Sequence, residues 1–322
     1  MIPLDLPVTR LRITLEAREE IHLPAFAGSK LEGAFGRTLY DLSCTRTDLQ
    51  TCHACPLRAV CPYAALYAPS RPESLLVASL EAPPRPLVFH TAFEHERTIL
   101  KDRTLEYGLS LIGRATQHLP YVIATIRSTG EAGIGRTRGR YALIDAHSQH
   151  PYSDEYTLIS NGEHPTVNLK PIILNASDLP ALPSDTINLE WQSFVHIRAG
   201  DAMAETLHFP VLVRALQRRI SNLEQLYGGA ISAGADYGHL PQLAHEVQTV
   251  THQVRSVRQA RSGKGRAPVM MHGLLGSVTY HGDLKPFTNL LRYGELLGVG
   301  KWAGFGAGQY LIGTAKDGGE VR

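Results

Sequence analysis

Four cysteines crowd into one short stretch, Cys44-x7-Cys52-x2-Cys55-x5-Cys61, and they are all the cysteines of the chain. A C-x-x-C pair offers two thiolates from one tight turn, and the flanking cysteines can complete a tetrahedral sulfur site. Four thiolates suit zinc or an iron–sulfur cluster, and this spacing matches neither the common ribbon pattern nor the ferredoxin pattern cleanly. The crowding reads as metal binding rather than a disulfide framework. A closed four-sulfur site keeps no open coordination position, so its expected role is to staple a small insertion.

The second stretch with chemical potential is Gly294-Glu-Leu-Leu-Gly-Val-Gly-Lys-Trp-Ala-Gly-Phe-Gly-Ala-Gly-Gln-Tyr310, with six glycines around Lys301, Trp302 and Phe305. Glycines let a backbone turn tightly and approach another chain closely. With one lysine, such a loop can present N–H groups and a positive charge to a phosphate. Its spacing is not that of a Walker loop, and a strand rather than a helix follows it, so it is not a dinucleotide fingerprint. A similar run, Gly130-Glu-Ala-Gly-Ile-Gly-Arg-Thr-Arg-Gly-Arg140, carries Arg136, Arg138 and Arg140 into another strand. Between them, residues 255–266 hold five cations (Arg255, Arg258, Arg261, Lys264 and Arg266) and no acid. This segment reads as a mobile basic loop suited to a polyanion.

These residues need a frame. The 322 residues are enough for two domains, and a net charge of +2 leaves any polyanion case to local clusters. No apolar run is long enough to span a bilayer, and Met1-Ile-Pro-Leu-Asp-Leu lacks the pattern of a secretion signal, so a cytoplasmic protein is expected. Residues 10–23 read as a strand. Ser29 is expected to cap a helix running to about Cys44, with Leu31, Ala34, Phe35, Leu39 and Leu42 buried and Lys30, Arg37 and Tyr40 on another face. Strands are expected at 87–89, 107–113, 141–144, 167–174, 190–198, 273–280 and 309–312. Helices are expected at 115–127, from Phe209 to Tyr227, at 240–256 and at 286–297. Helix, glycines with cations, then strand occurs twice, which argues for two related domains joined by a linker at 175–183.

Four stretches resemble a known family: Gly28-Ser-Lys-Leu-Glu-Gly-Ala-Phe-Gly36; Cys52-His-Ala-Cys-Pro-Leu-Arg-Ala-Val-Cys-Pro-Tyr63; Arg255-Ser-Val-Arg-Gln259; and Tyr280-His-Gly-Asp-Leu284 leading to Gly300-Lys-Trp-Ala-Gly-Phe-Gly-Ala-Gly308. In this order they resemble the repeat-cleaving CRISPR endoribonucleases of the RAMP superfamily, in the cysteine-containing branch. The resemblance implies an α+β fold of two tandem ferredoxin-like domains, 1–175 with the Cys44–Cys61 insertion and 184–322 with the glycine-rich loop. It implies CRISPR repeat RNA as partner, with other Cas effector subunits as further candidates. Arg136, Arg138, Arg140, Arg255, Arg258, Arg261, Lys264, Arg266, Gly300, Gly304, Gly306 and Gly308 are then the expected RNA contacts.

The family's chemistry is metal-independent. A 2′-hydroxyl attacks the adjacent phosphorus, leaving a 2′,3′-cyclic phosphate and a 5′-hydroxyl. That requires a base, an acid and cations for the phosphorane charge. Many relatives place a histidine just after Phe-Gly, where this chain has Arg37, and another before Val-Gly-Lys, where it has Gly298. His281 is the first substitute, His272 the second; Arg37, Tyr40 and Lys301 are expected to stabilise charge or orient the phosphate. The missing histidines also support an alternative, a catalytically weak or inactive repeat-RNA-binding subunit.

Overall fold

A computed structural model describes residues 5–49, 51–70, 83–164, 166–229, 238–263 and 266–314. Contacts divide the chain into two units, one built on Asp5–Ser177 with Asn222–Ser232, the other on Asp178–Ser221 with the chain from Ala233.

In the N-terminal unit the chain runs β1 (Val8–Ala17), β2 (Ile21–Leu23), α1 (Gly28–Ser43), α2 (Pro62–Leu66), β3 (Leu87–His90), β4 (Arg97–Ile99), β5 (Thr104–Ile112), α3 (Leu119–Ala132), β6 (Tyr141–Gln149) and β7 (Tyr156–Asn161). Alternation in β1 buries Leu11, Ile13 and Leu15 completely, as a sheet with one covered face requires. β1 pairs antiparallel with both β5 and β6, giving the order β3-β5-β1-β6-β7. Leu31, Phe35 and Leu39 of α1 join Val122, Ile123 and Ile126 of α3 in the same core cluster as those β1 residues. With β7 set aside as an edge addition, the order is that of a ferredoxin-like β-α-β-β-α-β fold.

The C-terminal unit repeats the plan with β8 (Thr186–Trp191), β9 (Arg198–Ala199), β10 (Ala202–Met203), α4 (Phe209–Tyr227, of which it holds the part up to Ser221), α5 (Leu240–Leu243), β11 (Gln248–Gly263), β12 (Arg266–His281), α6 (Thr288–Leu297) and β13 (Tyr310–Thr314). Its main sheet has the order β11-β12-β8-β13, again ferredoxin-like. Leu212, Leu216, Ile220 and Leu223 of α4 are buried as their helical spacing predicts. Arg219 turns its guanidinium to the Leu297 carbonyl, donating from Nη2 at 2.9 Å and from Nε at 3.3 Å. It thereby satisfies a terminal carbonyl of α6 with a cation, as the helix dipole favours.

Several sequence expectations are corrected. The first strand stops at Ala17 and resumes as β2, which pairs with β4. Ser29 does not cap α1: the capping position is Ala27, and the Ser29 hydroxyl is buried with no hydrogen-bond partner. Leu42 is 49% exposed, because the last turn of α1 runs past the core. Residues 167–174 form no strand; Leu174 makes only an isolated bridge to Val8. The helix expected over 240–256 is one turn followed by β11. Val250, Val254, Thr249 and Thr251 carry branched side chains that favour a pleated surface over a helix. Nor are the described residues of the basic segment a loose loop: Arg255, Arg258 and Arg261 lie on β11, which pairs antiparallel with β12 with a register shift between Arg261 and Gly263.

Candidate active site

The glycine-rich stretch begins where α6 ends. Gly298 closes the helix with φ 68°, and its N–H donates to the Gly294 carbonyl at 2.8 Å. The following backbone is laced to the segment after β8: the Lys301 N–H donates to the His196 carbonyl at 2.9 Å and the Gly308 N–H to the Phe194 carbonyl at 2.9 Å. Ser193 completes the seam, donating to the Gly306 carbonyl at 2.6 Å and accepting from the Gln309 N–H at 3.0 Å. Gly300 (φ 86°) and Gly308 (φ 67°) lie so close to the carbonyls of His196 and Val299 that a Cβ has no room. Gly304 and Gly306 follow around a short 3₁₀ turn, Ala303–Phe305.

This braced loop carries Trp302 in the left-handed region, φ 64° and ψ 15°. A bulky aromatic held there is strained, and such strain concentrates at functional sites. The Lys301 ammonium lies 4.6 Å from the Trp302 ring centroid, and the Arg261 guanidinium lies 4.3 Å from that of Phe305. The β11–β12 hairpin and the glycine loop therefore meet through a cation on an aromatic ring. Arg255 and Arg258 are exposed on β11. Lys264 lies outside the described residues, and Arg266 opens β12.

Two histidines complete this neighbourhood. His196 and His272 have ring centroids 4.7 Å apart, and Trp302 stands 5.1 Å from the first and 6.3 Å from the second. Burial lowers the His196 pKa, with the charges of His272, Lys301 and Arg198 adding to the effect while its bond to the His272 carbonyl opposes it. His196 was missed in the sequence because it sits inside an apolar strand pattern, where a lone histidine reads as core. His281 is elsewhere: nine residues beyond His272 on β12, about 30 Å along an extended strand, exposed, with Nδ1 in a 2.8 Å hydrogen bond to the Thr186 hydroxyl.

The remaining candidates lie in the N-terminal unit. Arg37 is exposed on α1. The Tyr40 hydroxyl is hydrogen-bonded to Cys44, and that bond and the thiolate field hold its pKa above the ordinary phenol value. Its ring packs edge-on against Tyr63 at 5.1 Å, and Tyr63 stacks on Tyr67 at 5.8 Å, which stacks on Phe35 at 5.9 Å. Tyr40 thus belongs to an aromatic ladder fastening the cysteine insertion to α1. In the 130–140 run, Arg136 and Arg138 are exposed, whereas Arg140 pairs with Glu19 at 2.7 Å. The Arg136 N–H donates to the His22 carbonyl at 3.1 Å, which docks this loop on β2.

Cys44, Cys52, Cys55 and Cys61 are free thiols, each partly buried. The Cys52 thiol is pushed up by burial and by the fields of Cys61, Cys44 and Cys55, so the four sulfurs share one neighbourhood. Among the described residues no group of three or more His, Cys, Asp or Glu side chains is arranged to hold a metal ion. Nor, among them, is any helix long and apolar enough to cross a membrane.

Two ferredoxin-like sheets in tandem, the second ending in a braced glycine-rich loop, give the chain a Cas6-like fold. The chain belongs to the family described by the AF_1859 N-terminal-domain model, which matches residues 6–172, and its residues 189–310 match the model of CRISPR-associated endoribonuclease Cas6. An uncharacterized protein of Archaeoglobus fulgidus is 25% identical over 315 residues, covering 96% of this chain and 98% of the relative. A Cas6 product complex superposes with a TM-score of 0.54 at 13% identity, covering 95% of this chain and 99% of that one. A partial Cas6-RT-Cas1–Cas2 complex gives a TM-score of 0.59 at 10% identity, covering this whole chain and 48% of the other. Thermus thermophilus Cas6 gives 0.50 at 13% identity, covering 96% and 98%.

Proposed function

We propose that this protein binds CRISPR repeat RNA and cleaves it as a metal-independent endoribonuclease. The observation that carries this reading is the seam between the basic hairpin and the glycine-rich loop, where Arg261 lies over Phe305 within the region matching the Cas6 model. Arg255, Arg258 and Arg261 supply phosphate contacts. Lys301, on a loop whose backbone is already fixed, supplies charge for the phosphorane without reorganising. Exposed Arg37, Arg136 and Arg138 extend the basic surface of the N-terminal unit. Arg140, offset by Glu19, contributes less. Cleavage of labelled repeat RNA in EDTA tests the proposal. A cyclic-phosphate product, abolished by one 2′-deoxy sugar at the cut, supports it; a strict requirement for a divalent ion overturns it.

The arginine and glycine standing at positions 37 and 298 favour a second reading, a repeat-RNA-binding subunit that cuts weakly or not at all. It predicts salt-sensitive binding without product. A fold like that in a partial Cas6-RT-Cas1–Cas2 complex supports a place beside other Cas proteins. We also propose that the four cysteines hold a structural zinc ion or an iron–sulfur cluster, a reading supported by their number and spacing, with a C-x-x-C pair flanked by two further cysteines. Such a group would brace the insertion and leave the RNA chemistry to the side chains above.

A further inference from the structure

We propose that His272 is the proton-transfer residue of RNA cleavage and that His196 positions it, so that the pair replaces the imidazoles missing at Arg37 and Gly298. This inference rests on reading the protein as an RNA-cleaving enzyme.

His196 is the hub of the arrangement. Its backbone carbonyl accepts from the Lys301 N–H at 2.9 Å, and its ring Nδ1 donates to the His272 carbonyl at 2.9 Å. One residue therefore fixes both the lysine of the glycine loop and the strand position of the second histidine. A carbonyl partner requires a proton on Nδ1 and so selects one tautomer of His196. The residue is only 7% exposed and suits an internal brace, whereas His272 is half-buried and open to a ligand. Trp302, held at positive φ, packs edge-on to both imidazoles. Lysine and tryptophan thus flank the histidine pair from the loop, while Arg258 is paired directly across the hairpin from His272.

His272 is faced by the His196 ring and, across the hairpin, by Arg258 of β11, while Lys301 of the loop and Arg198 of β9 act on the His196 ring. Arg258 and Lys301 are permanent cations near neutrality and give the neighbourhood of the pair the sign a phosphodiester needs, whereas Arg198 is offset by Asp201. The paired rings, the lysine-bearing loop and the cross-strand arginine set a proton acceptor beside cations. In the reaction, the 2′-oxygen forms a bond to phosphorus and its proton passes to His272. The bond from phosphorus to the 5′-oxygen breaks, that oxygen takes a proton from solvent, and Lys301 balances the charge of the intermediate.

The test is single-turnover cleavage of 5′-labelled CRISPR repeat RNA in EDTA, with RNA affinity and thermal unfolding measured on the same preparations. His272→Ala should cut about 100- to 10,000-fold more slowly while binding RNA within about threefold of wild type. Added imidazole should restore part of that rate, and the acid limb of the pH–rate profile should vanish. His196→Ala should lose at least about tenfold. His196→Asn, whose amide can still donate to the His272 carbonyl, should recover most of it. If His272→Ala unfolds, His272→Gln reads the same effect. Wild-type cleavage with full-rate His272→Ala, or with loss confined to His281→Ala, overturns the assignment and leaves the nuclease reading standing. A His196→Asn variant as slow as His196→Ala overturns the positioning role. Wild-type protein that binds the repeat without cutting it overturns the nuclease reading, and this inference with it.

Discussion

The ring of Tyr67 fills the space that a side chain at Gly36 would need: a Cβ there would run into Cε1, Cδ1 and Cζ of the ring. Tyr67 cannot retreat. It is buried, its hydroxyl donates to the Glu32 carbonyl at 2.9 Å, and the Arg85 guanidinium lies 4.4 Å above its ring while pairing with the buried Glu32 carboxylate. Gly36 is thus the contact through which α1 admits the segment following the cysteines. Gly36→Ala should destabilise the protein by about 1–3 kcal/mol, the usual cost of overpacking a filled core. Urea unfolding measures it, and a midpoint equal to wild type would contradict the contact.

Acid should weaken the C-terminal unit. The Leu207 N–H donates to His252 Nε2 at 3.0 Å, a bond that needs the neutral ring. Burial holds the His252 and His196 pKa values below the ordinary 6.5, helped in each case by neighbouring positive or titratable groups. A histidine depressed by folding binds its proton more readily when unfolded. Its stabilising contribution is therefore complete above about pH 6.5, the unfolded value, and disappears as pH falls through the lower folded values. The urea midpoint should hold between about pH 7 and 8 and fall below about pH 6.5. In His252→Gln, whose side-chain oxygen still accepts, that fall should be shallower; an unchanged profile would rule His252 out.

RNA affinity should depend on salt through the hairpin. Converting Arg255, Arg258 and Arg261 together to Gln removes the three phosphate contacts proposed for them, and each such contact is worth about 0.7 in the slope of log affinity against log salt for a single strand. The slope should become shallower by about 2, with the loss in affinity largest at low salt. The same slope in both proteins would take the hairpin out of the interface.

Metal analysis decides the cysteine proposal. Protein purified without chelator should carry about one zinc ion, or the iron of one cluster, per chain. Replacing Cys52 and Cys55 with Ala should abolish that content and make the insertion sensitive to protease. A metal-free wild-type protein with a protease-resistant insertion would refute the proposal.

The glycine loop should tolerate little change. Gly308→Ala places a Cβ against the Val299 carbonyl at φ 67°. A strained residue of this kind costs about 1–3 kcal/mol, read as a lower urea midpoint. Wild-type stability would show that the loop does not hold the Phe194 and Val299 bonds that fix its path.

Much of this fold is legible because local patterns agree with it. β1 alternates, α4 repeats its leucines at helical spacing, and the glycines after α6 precede a strand. Readings went astray where local preference was overruled. Ser29 looks like a cap, yet α1 is capped two residues earlier, at Ala27, and buries the hydroxyl. Residues 255–266 look like a charged loop because five cations hide the register with Met271 and Gly273 that makes Arg255, Arg258 and Arg261 part of a strand. His281 and His272 are indistinguishable by type and lie on one strand.

By itself, the sequence determined that two related α+β halves carry clustered cations, glycine-rich runs and four neighbouring cysteines, since composition and spacing are properties of the chain. Tertiary structure alone decided which imidazole keeps company with Lys301. Strand register spans sequence separations that no local pattern encodes, and it sets His196, His272 and Trp302 side by side while carrying His281 to the other end of β12.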